Sequence, residues 1–333
     1  MENKLKIEDN LIKSSDNVNG LELARKAGKI HSKIRTEVSD YVKPNMPLIN
    51  ICKFIENRIN HYTNNDENNP LSRGIAFPVG LSVNNCAAHW TPNPGDNHLL
   101  KYDDVLKIDF GIHYNGYIID AAFTKTFNPV YDNLVNASIE ATNVGIKNSG
   151  PDAILGEIGS EIQETIESYE IELNGKTKQL KSIKNLSGHR IGKYKIHYNK
   201  FVPNIKTNYT ERMKSGEYYA IETFPSTGSD ITINGTNTSH YMINYTNPSL
   251  LKPRNKKDLN LYNIINQNYN TLAFCRRWLK EKNINKYQIN LKNLVNSDIV
   301  KEYPPLYCSN DSYVAQTEHT IVIKDNGKEI LSK

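Results

Sequence analysis

Four carboxylates sit inside runs of β-branched and aromatic residues, where strands are normally depleted of acids: Asp109 in KIDFG, Asp120 in IIDAAF, Glu222 in YAIETF and Glu318 in EHTIVI. A lone acid in such a run reads as the polar face of an amphipathic strand. Four of them together with His189 in GHRIG have a better common explanation, because oxygen ligands and one imidazole suit a pair of hard or borderline divalent cations. The charges agree, since four carboxylates offset two divalent ions. A water held between two such ions could attack a polarised carbonyl, as in other two-metal hydrolases.

The stretch from Lys107 to Thr124 says how two of the acids meet. Asn115-Gly116 tolerates the positive φ angles of a type I′ turn, so the flanking runs predict a hairpin. With a two-residue loop, Gly111 faces Asp120 and Asp109 faces Ala122. Side chains alternate with period two, so Asp109, Gly111 and Asp120 then share one face, the two acids as diagonal neighbours roughly 7–8 Å apart. Gly111 is expected to leave the space between them empty. Two bare carboxylates converging there would repel and resist desolvation unless a cation or a shared proton lies between them. A three-residue loop would separate them, and from the hairpin alone a surface ion cluster remains the alternative. Two further histidines stand nearby in the chain: His89 among small apolar residues in NNCAAH, and His197 eight positions after His189.

The elements that must position these groups follow from periodicity. Apolar residues at three- and four-residue steps predict helices over Leu21–Val42, Leu48–Tyr62, Tyr131–Ser149 and Pro151–Tyr169. A short strand around Ile75–Phe77 is expected to stop at Pro78, and strands are expected around Glu222 and Glu318. Pro248–Tyr303 reads as an inserted helical stretch. Helices and strands in two halves, without βαβ alternation or GxGxxG, favour an α+β fold over a doubly wound nucleotide-binding one.

Composition narrows the class. The 333 residues are 38% hydrophobic and 23% charged, with mean hydropathy −0.60, as in a globular protein with a polar surface. No apolar run reaches the length of a membrane span, and MENKLKIEDN lacks the core of a signal peptide, so a cytoplasmic protein without membrane partners is expected. Cys52, Cys86, Cys275 and Cys308 have no CxxC spacing, which argues against a disulfide framework or a cysteine zinc site. The net charge of +5 is spread widely and calls for no specific nucleic acid.

GIAFP, NNCAAH, KIDFG, IIDAAFT, GHRIG, YAIETF, SHYM, LAFCRRWL, YPPL and EHT follow, in order, motifs of the type 2 methionine aminopeptidases. The chain resembles that family from about Leu21 to its end. The resemblance implies the creatinase or pita-bread fold: pseudo-two-fold halves with a helical insertion at about 248–303, in a catalytic domain over 21–333 after a short segment 1–20. It implies two divalent ions (cobalt, manganese, iron or zinc) held by Asp109, Asp120, His189, Glu222 and Glu318, and attack of a bridging hydroxide on the first peptide bond. Glu222 would also shuttle the proton. His89 and His197 would hold the scissile peptide and stabilise its oxyanion, and Phe77, Ile196, His240, Ala273 and Tyr303 would enclose the methionine side chain. The substrates implied are nascent chains with N-terminal methionine and a small second residue, and the protein is expected to be a monomer. Docking on ribosomes stays open, since eukaryotic members usually carry a long charged N-terminal extension where some twenty residues precede the first core helix here. The alternatives are an X-Pro peptidase of the same fold and a non-catalytic homologue that binds ribosomes or nucleic acid.

Overall fold

The computed structural model describes residues 16–245, 253, 255–284 and 286–333. The expected segment 1–20 therefore lies mostly outside the described residues, as does the start of the expected insertion.

The hairpin forms in the expected register. Strands Leu106–Tyr114 and Tyr117–Lys125 pair with Tyr114 opposite Tyr117, Gly111 opposite Asp120 and Asp109 opposite Ala122. Asn115 and Gly116 carry φ of 47° and 80°, as a two-residue type I′ loop requires. A third strand, Arg73–Val83, completes this antiparallel sheet, and helices Asp16–Tyr41 and Leu48–Thr63 pack on it through Ala24, Ile34, Ile51, Ile55 and Phe110.

A second half repeats the arrangement. Strands Gly327–Ile330, Thr317–Lys324, Tyr218–Thr223, Ser187–Ile191 and Phe201–Pro203 form a five-stranded antiparallel sheet in that order. Helices Asp132–Asn148 and Leu155–Glu167 cover it with Leu134, Ala141, Ile158 and Ile162, set against Tyr219 and Ile321. The two sheets are stitched side by side where the acids lie. Thr320 Oγ1 accepts from the Asp120 backbone N–H at 2.8 Å and donates to its carbonyl at 2.6 Å, so one threonine fixes the backbone of a candidate ligand.

Two expectations are corrected. The first strand does not stop at Pro78. It runs on to Val83 with register shifts between Ile75 and Gly80, and at such irregularities a proline without an N–H is tolerated. Pro248–Tyr303 is not uniformly helical. Helices Lys256–Asn268, Arg276–Glu281 and Tyr287–Asn296 enclose a three-stranded sheet of Phe274–Cys275, His240–Ile243 and Val300–Tyr303. Two- and four-residue strands are too short to show a period, and the sheet forms because Phe274, Tyr241 and Val300 share a small core with Leu261, Ile265 and Leu294.

This subdomain is tied to the first half by charge. Arg277 donates to both oxygens of Glu56 at 2.8 and 2.7 Å, and Trp278 Nε1 adds a third bond at 2.8 Å. Both ionic groups are buried, so loss of either would strand the other, and the clamp holds Ala273 and the neighbouring strand against the second helix. All four cysteines are buried and free. No helix among the described residues is long and apolar enough to cross a membrane.

Candidate active site

Register carries the remaining acids to the hairpin. Glu222 lies directly opposite Glu318 in adjacent strands, and on the other side of the Tyr218–Thr223 strand His189 pairs with Ala220. Ligand atoms of Asp120, His189 and Glu318 fall within 4.8 Å of one another. His189 Nε2 stands 3.5 Å from Asp120 Oδ2 and 3.6 Å from Glu222 Oε1. Asp109 and Glu222 are linked through Gln316, whose Nε2 lies 3.4 Å from Asp109 Oδ2 and 3.3 Å from Glu222 Oε2.

Gln316 was not among the expected site residues. Its signal is weak but readable: it precedes Glu318 by two positions, so an extended chain turns both to the same side. The role expected for Gly111 also changes. A Cβ there would come 2.2 Å from the Phe77 ring, so the glycine makes room for Phe77, and the space between the acids is shared with that ring.

The electrostatics of this cluster are lopsided. Burial first, and then repulsion between neighbours, pushes Asp109, Glu222 and Glu318 well above the usual carboxylate range; burial pushes Asp120 up to about 7. Asp109 Oδ1, Asp120 Oδ1 and Glu318 Oε1 are buried with no hydrogen-bond partner. Protein side chains alone thus leave three oxygens aimed into a common space with nothing to satisfy them, which is the condition a divalent cation cures. His189 is lowered to about 4 by burial and is neutral near pH 7, as a ligating imidazole must be. The donor set therefore fits oxygen- and nitrogen-ligated divalent metal.

A titration test follows from these directions. Metal binding at pH 6 should expel protons held by the raised carboxylates, and little from His189, which is already neutral there. Calorimetry in two buffers of different ionisation enthalpy is expected to show proton release on manganese binding at pH 6, shrinking towards pH 8.5 as the carboxylates ionise unaided. No release at pH 6 would mean that the acids are already charged and separately solvated.

The histidines line the same cavity. His197 stands at its exposed rim, its ring edge-on to His189 at 4.3 Å between centroids. His89 ends the short strand Cys86–Ala88 with φ of 63°, a left-handed conformation that a histidine adopts at a cost of roughly 1–3 kcal/mol when its surroundings hold it there. This turn was not legible in NNCAAH. Burial first, then the nearby His197, lowers the His89 imidazole to about 4, while the Pro304 carbonyl favours a proton on one ring nitrogen. His240 uses both ring nitrogens internally, Nδ1 at 2.9 Å from Ser239 Oγ and Nε2 at 3.3 Å from the Pro78 carbonyl. It therefore has no free ring nitrogen to offer the cavity.

Phe77, Ile196, His240, Ala273 and Tyr303, with Met242, line the cavity together with the acids, His189, His89, His197 and Gln316. Phe77, Ile196, Met242 and Ala273 belong to one apolar cluster, and the His89 ring stands 6.1 Å from that of His240 and 5.9 Å from that of Tyr303. Every residue singled out from the sequence lines this one space.

Comparison with known proteins agrees with this architecture. The profile of metallopeptidase family M24 matches residues 22–325. Methionine aminopeptidase 2A of Arabidopsis thaliana is 47% identical over 311 residues, covering 93% of this chain and 69% of that protein. Among solved structures, that of a thermophilic Arx1 superposes with a TM-score of 0.79 at 16% identity, covering 94% of this chain and 90% of that one. Methionine aminopeptidase from Thermotoga maritima gives 0.64 at 21% identity, covering 97% and 98%. At such identities the structural likenesses speak for the fold alone, which is the α+β pita-bread arrangement. With the family profile spanning nearly all the described elements and a relative at 47% identity over most of the chain, the protein belongs to metallopeptidase family M24.

Proposed function

We propose that this protein removes the N-terminal methionine from peptides whose second residue is small. The observation that carries this reading is one cavity lined both by three carboxylates with unsatisfied buried oxygens and by the apolar cluster of Phe77, Ile196, Met242 and Ala273. The name of the Arabidopsis thaliana relative points the same way. Asp109, Asp120, His189, Glu222 and Glu318 are the residues that would hold two divalent ions. When bound, such ions polarise a carbonyl and make water nucleophilic near neutral pH.

The chain's own groups do the rest. Glu222 lies beside Asp109 and His189, where a carboxylate can take a proton from the attacking water and return it to the departing amine. His197 at the rim is placed to donate to the oxygen of the scissile carbonyl. His89 is kept neutral by burial, and a neutral imidazole has one ring nitrogen with a free lone pair, which could accept the scissile N–H. The apolar slot, walled by Phe77, Ile196, Ala273 and Tyr303, suits an unbranched thioether better than a β-branched or charged side chain. The four buried free thiols agree with a reducing compartment, and we place the activity in the cytoplasm, on nascent chains, in a monomer.

The test is a metal-reconstituted assay on Met-X-Ser peptides set against Ala-Pro peptides. Glycine, alanine or serine at X should be cleaved fastest. Ala273→Leu should raise KM for methionyl peptides, since the added volume intrudes on the slot while the acids stay in place. Equal efficiency for X of Gly, Leu and Arg, or an Ala273→Leu variant like the parent, would show the slot misplaced. Preferential Ala-Pro cleavage would make this an X-Pro peptidase, and no turnover by the metal-loaded protein would leave a binding protein of the fold.

A further inference from the structure

A second opening adjoins the cavity. It is a cleft of about 350 Å³ between the 195–199 segment and the sheet of the subdomain, and it shares Ile196, His197, Met242 and Tyr303 with the catalytic cavity. The Thr271 hydroxyl donates to the Tyr194 carbonyl and joins the two sides. None of its lining residues is acidic, whereas Lys195 and Lys301 are cationic. Lys195 is exposed, with its ammonium 5.3 Å from the centre of the Tyr198 ring, and Lys301 is half-buried. Neither lysine makes an ion pair with a carboxylate among the described residues.

We propose that this cleft receives the substrate residues beyond the cleaved bond and selects for acidic side chains there. The inference rests on the methionine-removal reading, because that reading places the scissile bond beside His197. His197 borders both spaces, as do Ile196, Met242 and Tyr303 of the methionine slot, so a chain that runs on from the scissile bond past His197 would pass out of the cavity into the cleft. At about 3.3–3.6 Å per extended residue, the third to fifth residues of a substrate would trail roughly 5–15 Å beyond the cleaved bond. A carboxylate at those positions finds two positive charges and no competing acid, and a lysine there is repelled. Half-exposed pairs of this kind are individually weak, so the two together are expected to change affinity by about threefold to tenfold, less at high salt. The effect belongs in KM, since neither lysine reaches the bond that breaks.

The experiment compares Met-Ala-Ser, Met-Ala-Ser-Asp-Glu and Met-Ala-Ser-Lys-Lys with the metal-loaded protein at low and high salt. KM for the acidic pentapeptide should be threefold to tenfold below that for the basic one, with similar kcat, and salt should narrow the gap. In the double variant Lys195→Glu, Lys301→Glu the ratio of the two KM values should invert. Cleavage of Met-Ala-Ser with equal KM for both pentapeptides, or a ratio that the double variant leaves unchanged, overturns the cleft's role alone. Failure to cleave Met-Ala-Ser overturns it together with the reading on which it rests.

Discussion

Asp120→Asn is expected to abolish metal binding and turnover together while leaving the metal-free fold at least as stable as the parent. The side chain is nearly isosteric, and the backbone N–H and carbonyl of residue 120 remain bonded to Thr320, so the hairpin keeps its place. What changes is charge. In the metal-free protein the substitution removes one of four crowded acids, which relieves repulsion on Asp109, Glu222 and Glu318. With metal present it replaces a proposed anionic ligand by a neutral amide, a loss expected to exceed the roughly 10–100-fold in affinity or activity that changes to outer-shell partners typically cost. Elemental analysis, a peptidase assay and thermal unfolding with and without manganese decide it. The expected pattern is an unfolding temperature that no longer rises with manganese, from a metal-free value equal to or above the parent's. Asp109→Asn and Glu318→Gln should follow it. Two equivalents of retained metal with parental turnover would end the dinuclear reading, and a metal-free variant that fails to fold would recast Asp120 as a structural acid.

The part of this site that the sequence reveals is the part built from local rules. A type I′ turn tolerates Asn-Gly, and a strand alternates its faces, so the hairpin register is readable residue by residue and places Asp109 and Asp120 on one face. Acids in β-branched runs mark Glu222 and Glu318, although only the paired strands reveal that they stand opposite each other. What stays hidden depends on contacts distant in the chain. Gly111 looks like an empty space until Phe77 arrives from another strand to fill it. The left-handed turn at His89 is not announced by NNCAAH, because histidine visits that region too seldom for the residue alone to mark it. Tyr303 reads as the end of a helical stretch, yet it sits in a strand whose partner begins at His240, sixty-three positions earlier, so two walls of the slot meet through a pairing that no periodicity announces.

His89→Asn and His197→Ala should keep their metal and lose their turnover. Asparagine is the better substitute at position 89 because it tolerates the left-handed backbone that His89 adopts, so the turn survives and only the ring is removed. Neither histidine belongs to the group of close ligand atoms formed by Asp120, His189 and Glu318, which is why metal content should stay at the parental level. In the proposed mechanism the two rings contact different atoms of the scissile bond. His197, edge-on to His189, would meet the carbonyl oxygen, whereas His89, a neutral imidazole with one free lone pair, would accept the peptide N–H. Removing a single oxyanion donor in other enzymes costs roughly 10²–10³ in rate, and a loss of that order in kcat is expected for His197→Ala. For His89→Asn the loss should also fall on kcat but depend on the leaving group: a methionyl ester, which has no scissile N–H to offer, should be hurt less than the matching amide. His197→Ala should slow ester and amide alike, because both develop the same oxyanion. Near-parental turnover in both variants would return the two rings to simple packing, and equal ester and amide losses in His89→Asn would remove its assigned contact with the peptide nitrogen.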